Sequence, residues 1–257
     1  MSIKFFWNNL FDSATLTASS ADADFPVSNL KNPLRKKVWK TSGETSGTAS
    51  LVIDHGAATS VSSIILANYD WSSAPSTLDL EFNATDSWGA PSETEALTWA
   101  ATPDAYGNKN VIVKTFASKS YRYNRLNVVY SPGAVPTDWE LGRVFVGSYF
   151  EPTRDYLNTH SEVIIDDSII STSVGGQKYV DEIEKYREKR MNFMVTTYAQ
   201  WRSFQLLFNS IGIGKDIFVE FDSSYPNEMT MYGALLAFTA NRVGEIFTLN
   251  FGFKESR

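Results

Sequence analysis

The chain has 257 residues, 43% of them hydrophobic and 20% charged, with a formal charge of −6 at pH 7. This composition supplies apolar material for buried cores, and the acidic balance argues against non-specific attraction to DNA or anionic lipid. There is no cysteine, which excludes disulfides and thiolate chemistry, and two histidines, His55 and His160, are too few for a multi-histidine centre. The opening segment MSIKFFWNNLFDSA holds one lysine and a short apolar run broken by Asn8 and Asn9. It reads as neither a signal peptide nor a membrane span, and no later window approaches 18 apolar residues, so no membrane insertion is expected.

Up to residue 150 the chain reads as short strands between turns. Ser50–Asp54 and Val61–Ala67 are rich in β-branched residues, with His55–Ser60 as the connecting turn. Thr77–Phe82 alternates, placing Leu78, Leu80 and Phe82 on one face. Val111–Val113, Tyr121–Tyr130 and Gly142–Gly147 supply further strands, and Thr41–Thr48 reads as a flexible loop. No segment here sustains a 3.6-residue period, so a β-sandwich or jelly roll is expected over 1–150.

The pattern changes beyond the aperiodic stretch Phe150–His160, and a second domain is expected over 151–257. Strands are expected at Ser161–Ile165, Lys189–Thr196, Asp216–Phe221, Met229–Leu236 and Glu245–Phe253, with Asn241–Gly244 as a hairpin turn. Between them Trp201, Phe204, Leu207, Phe208 and Ile211 mark one helix, capped by Thr197 and ended by Gly212. These strands with a single helix describe an α+β domain whose helix covers one sheet face. The formal charge is −2 for residues 1–150 and −4 for 151–257.

Chemistry-bearing patterns are sparse. Neither Asp54–His55 nor His160 meets a serine in a nucleophile elbow. The carboxylate pairs Asp166/Asp167 and Asp181/Glu182 diverge if extended, whereas Asp79 and Glu81 share a face opposite the apolar one. Gly212–Asp216 follows a helix instead of preceding one, so it is no phosphate cradle. No catalytic residue, metal site or cofactor is assigned. Two patches remain. The run Lys178–Arg190 is dense in mixed charge and reads either as a solvated loop or as a hairpin that pairs with a neighbouring subunit. Its candidate interface residues are Lys178, Asp181, Glu182, Glu184, Lys185, Arg187 and Glu188. Tyr69, Trp71 and Trp88 fall in expected loops, where exposed rings stack on sugars or anchor a protein partner.

Over about residues 10–148 the chain resembles the galactose-binding-like, or discoidin-type, jelly roll. The residues that carry this are Phe25–Leu30, Trp39–Ser42, Leu51–Gly56, Val61–Leu66 and Ser120–Leu126. His55 stands where the family's Asp-Leu-Gly strand end has Leu, and basic residues precede Trp39 where the family often carries an acidic calcium ligand. The early Phe25-Pro-Val-Ser-Asn-Leu30 and the closing Glu140–Gly147 make the pattern similar to tail proteins of long-tailed bacteriophages. The second domain is similar in outline to the tail-tube fold of tube and distal tail (baseplate) proteins. That resemblance implies a non-enzymatic virion protein assembled in the host cytoplasm. It also implies a homo-oligomeric, hexameric ring, contacts with other phage tail proteins, and DNA passing through without specific binding. The order of domains departs from many distal tail proteins, which place the tube-like domain first. The alternative is a carbohydrate-binding module that contacts a host-surface glycan through Tyr69, Trp71 and Trp88; a carboxylate-based hydrolase is the third reading.

Overall fold

The computed structural model describes residues 2–34, 36–42, 47–71, 74–99, 111–130, 139–154, 161–183, 185–243 and 246–256. The first strands are β1 (Lys4–Phe6), β2 (Thr15–Ala18), β3 (Trp39–Lys40), β4 (Thr48–Ala67) and β5 (Thr77–Asn83). Next come β6 (Glu93–Ala96), β7 (Val111–Val129), β8 (Glu140–Leu141) and β9 (Arg143–Gly147). The chain continues with β10 (Ser161–Ile165), β11 (Ile169–Thr172), β12 (Lys178–Asp181), β13 (Tyr186–Val195) and the helix α1 (Tyr198–Ile211). It closes with β14 (Asp216–Glu220), β15 (Thr230–Val243) and β16 (Ile246–Glu255). The protein is mainly β.

These elements form two compact units. One holds residues 8–150 and 220–230; the other holds Met1–Trp7, Glu151–Val219 and Met231–Arg257. Residues 1–7 and 220–230 are each grouped with the unit on the other side of Phe150. Residues 1–7 go to the second unit because Phe5 and Phe6 are buried apolar side chains, and Phe5 sits among Phe193, Phe204 and Phe251 at centroid distances of 5.6–6.2 Å.

The first unit is a jelly-roll β-sandwich built around two long strands. β4 and β7 pair antiparallel over almost their whole length, interrupted between Asp54 and Thr59 and between Val61 and Ser63. On one side of these irregularities the order is β2-β4-β7-β5-β6; on the other, β9 pairs with the Ser63–Ala67 end of β4. Bulges bend strands and increase local twist, which lets both strands belong to two layers. The expected turn His55–Ser60 is therefore such a bulge inside one strand. Gly56 takes φ +78° there, and its amide donates to the Asp54 carboxylate at 2.7 Å. Likewise the expected strands Val111–Val113 and Tyr121–Tyr130 are parts of one strand. Leu51, Ile53, Leu80, Phe82, Leu126 and Val128 from one layer pack in one buried cluster with Ile64, Leu66, Val144 and Val146 from the other. Each such side chain contributes about 1.5–3 kcal/mol by leaving water.

The second unit contains a six-stranded sheet in the order β1-β14-β15-β16-β13-β10. Helix α1 lies on it as its spacing predicts. Thr197 accepts from the Gln200 amide at 3.3 Å, and Gly212 ends the helix with φ +58°. Phe204, Leu207 and Ile211 are buried, and Phe204 meets Phe193 at 5.4 Å. Trp201 stacks on Phe247 at 4.9 Å, and Phe208 on Phe238 at 3.8 Å. β15 runs through Asn241–Val243, so those residues are strand and not the expected hairpin turn.

Candidate functional site

The aromatic candidates separate. Tyr69 and Trp71 are 3% and 5% exposed, and the expectation of open rings at these two positions is corrected. Their backbone follows the expected break between strands, but the rings turn inward. Tyr69 and Trp71 lie 4.7 Å apart, Trp71 meets Trp139 at 6.4 Å, and Tyr130 meets Trp139 at 5.2 Å. Burial pushes the Tyr130 hydroxyl up to about 12. Only Trp88 of the three keeps part of its ring in water. Its indole N–H donates to Asp86 at 2.7 Å, and the Arg125 guanidinium sits 4.8 Å from the ring centroid. Arg125 in turn donates to the buried Glu81 carboxylate at 2.6 Å, which also accepts from Asn127 at 3.3 Å.

Several titratable groups of the sandwich are committed in the same way. Asp79, on the same face as Glu81, is held above its ordinary value by partial burial and then by the neighbouring Glu81 charge. Glu81 is committed to Arg125, so the pair offers one free carboxylate and not two. Asp54 pairs with Arg122 through two hydrogen bonds of 2.8 and 2.9 Å, which with the Gly56 amide bring its carboxyl down to about 2. His55 does not receive that carboxylate. Its Nε2 lies 2.5 Å from the buried Asn124 Oδ1, and burial lowers its pKa. His160 lies outside the described residues. Among the described residues no group of three or more His, Cys, Asp or Glu could hold a metal ion, and no helix is long and apolar enough to cross a membrane.

The charged run resolves into two different environments. Its last part lies inside the six-stranded sheet. Arg187 bonds Glu255 at 3.1 and 3.3 Å, both side chains being mostly buried, and Lys189 pairs with Glu162 at 2.9 Å. Glu188 stands opposite Val163 on one side and Lys254 on the other. Arg187 and Glu188 thus stand in the ladder of this sheet, with Arg187 paired to Glu255 within the chain. Glu184 lies outside the described residues.

The first part is a separate hairpin that sequence reasoning saw only by its charged strand. β11 and β12 pair with each other, in the register Ile169↔Asp181, Ile170↔Val180, Ser171↔Tyr179 and Thr172↔Lys178. Among the described residues they pair with no other strand. The turn is closed by the Ser173 amide donating to the Gln177 carbonyl at 2.8 Å, and Gly176 supplies the φ of +81° it needs. At the base, the Ile183 amide donates to Ser168 Oγ at 3.0 Å, and Lys185 pairs with Asp166 at 3.3 Å. Asp166 is held below the usual carboxylate range, mainly by its bonds with Ser168.

What this hairpin exposes is unusual. Ile169 and Ile170 are each 59% exposed, Tyr179 and Val180 are half exposed, and Val174 at the turn is open. Cross-strand pairs share a face, so Ile170 and Val180 lie on one side and Ile169 and Tyr179 on the other. A two-stranded hairpin is marginally stable alone, and apolar groups on both its faces gain nothing from water. Next to it in sequence, β10 also exposes Val163 and Ile164.

No protein-family model matches the chain, and no curated protein matches it. Solved structures with similar folds include chitosan-binding module 1 from a chitosanase/glucanase of Paenibacillus sp. IK-5. It is 21% identical with a TM-score of 0.40, over 55% of this chain and 99% of the module. The lectin domain of lectinolysin, complexed with Lewis B antigen, is 15% identical with a TM-score of 0.41, over 55% of this chain and 97% of its own. The family 32 carbohydrate-binding module of C. perfringens NanJ, in complex with galactose, is 17% identical with a TM-score of 0.41. That likeness spans 57% of this chain and 99% of the module. Likeness of fold at this level assigns no function.

Proposed function

We propose that this chain is a structural protein that assembles with copies of itself, as a ring-forming component of a bacteriophage tail tip. The observation that carries the reading is the hairpin of β11 and β12, which offers apolar side chains on both faces and, among the described residues, pairs with no other strand. Such a surface is a liability in a solitary molecule and an asset in an assembly, where neighbours cover it and complete the hydrogen bonding. The negative charge of the second half suits a conduit that must not hold nucleic-acid phosphate. The phage setting and sixfold order come from the resemblance of the sequence pattern. In that setting the protein sits in the virion, contacts other tail proteins, and lets DNA pass unbound. Negative-stain images of the purified full chain test this: closed rings support it, and dispersed single particles at every concentration overturn it.

A second reading is glycan contact by the sandwich. Trp88 is the observation that favours it, a partly open ring backed by Arg125 and hydrogen-bonded to Asp86. Tyr69 and Trp71 cannot share in it while the core is intact. Binding of a galactose or chitosan oligosaccharide that disappears in Trp88→Ala, with unchanged thermal stability, would establish this role.

A further inference from the structure

We infer that the face of the hairpin carrying Ile169, Tyr179 and Asp181 docks on the outer side of α1 in a second copy. This rests on the assembly reading above and names the surface that meets the hairpin.

Three observations converge on the helix. First, its solvent side is not the polar face expected of a helix that ends at water. Tyr198 and Leu206 are 64% and 59% exposed, and Ile213 just beyond the helix is 73% exposed. Arg202, Gln205 and Asn209 lie between them on the same stripe. Arg202, Leu206 and Asn209 border a shallow depression of about 320 Å³.

Second, the charges are complementary. Residues 166–185 carry a formal charge of −3, whereas 198–215 contain no acidic residue and carry +2, from Arg202 and Lys215. Asp181 and Arg202 are both exposed, and neither has an ionic partner among the described residues. Opposed potentials of this kind set register and partner choice more than raw affinity.

Third, the spacings agree. Asp181 and Tyr179 stand two residues apart on one strand face, about 7 Å. Arg202 and Leu206 stand one helical turn apart, about 6 Å. Setting Asp181 against Arg202 therefore brings Tyr179 over Leu206, with Ile169 beside Tyr198 or Leu206. Both surfaces are exposed within one copy, so each is covered only by another molecule. A contact between two different surfaces of the same chain is heterologous, the kind that propagates from copy to copy into a ring or a filament.

The test is a charge exchange on the full chain, read by light scattering after size exclusion. Asp181→Arg and Arg202→Asp should each weaken self-association by about tenfold or more, and the double variant should return it to within about threefold of the native chain. Both positions are exposed, so thermal melting should be unchanged in all three and serves as the folding control. Because the native chain has no cysteine, a mixture of Tyr179→Cys and Leu206→Cys should give one oxidised cross-linked dimer that neither variant gives at comparable yield alone. If the native chain assembles but the double variant fails to recover and no mixed cross-link forms, this docking is wrong while self-assembly stands. A native chain that stays monomeric overturns both.

Discussion

Trp71 and Ile170 are both large apolar residues near breaks in the strand pattern, yet they end in opposite surroundings. Trp71 is packed beside Tyr69 and Trp139 and is almost wholly out of water, whereas Ile170 faces water across more than half its surface. The sandwich closes its aromatic residues into its own core. The hairpin of the second unit leaves its apolar side chains in water, although the sheet of that unit packs an aromatic layer under α1. Apolar surface that the sandwich uses for its own stability is thus left, in the hairpin, for something outside the molecule.

This contrast has measurable consequences, largest first. Trp71→Ala should cost the sandwich about 3–5 kcal/mol, since it opens a cavity between Tyr69 and Trp139, and a thermal melt should show it as a large fall in midpoint. Ile169→Ser in the same hairpin, by comparison, should leave the melt of the dilute chain within about 0.5 kcal/mol of native and reduce self-association. Equal thermal losses in the two variants would erase the distinction. Next, Arg125→Ala should cost about 3 kcal/mol in a denaturant titration, because it strands the Glu81 carboxylate, only 8% exposed, without its cation. It should also free the Trp88 ring, visible as a change in tryptophan fluorescence. Thr197→Ala removes the acceptor for the Gln200 amide and should cost about 1 kcal/mol, read in the same titration.

The smallest effect is in pH. Burial holds the His55 imidazole below its ordinary 6.5, so the unfolded chain takes up that proton first. Stability from this group is complete above about pH 6.5 and declines as the pH falls below it, until the folded pKa is passed. His55→Gln should flatten that part of a stability-against-pH curve. Asp54 acts further down. Its stabilisation holds above 3.8 and is lost as the pH falls toward about 2. The Asp54→Asn chain should lack that second decline.

Much of the architecture is visible in the sequence wherever local periodicity and burial coincide. Thr197, the run from Trp201 to Ile211 and Gly212 define α1 because a helix records its buried face every three or four residues. Alternation marks β5 for the same reason. In sequence the long strands β4 and β7 each look like two shorter ones, since an irregularity such as that at Gly56 uses the same residue types as a turn. The strand Lys4–Phe6 gave no hint of its sheet; three residues hold no period, and their partners lie more than two hundred positions on. Tyr69 and Trp71 misled because Asn68, Asp70 and Ser72 signal a break in the backbone but say nothing about which way a ring turns. The hairpin was half legible. Charge drew attention to Lys178–Asp181, but the meaning of Ile169 and Ile170 depends on the absence of a covering layer, which only the tertiary structure reveals.

Sedimentation velocity of the full chain over a wide concentration series, beside Ile169→Asp at the same concentrations, addresses the central claim most directly. The account predicts that the native chain shifts to a defined multimer as it is concentrated, while the variant, equally folded, stays at the single-chain mass. A native chain that sediments as one copy throughout, or a variant that assembles as well as the native, would contradict it.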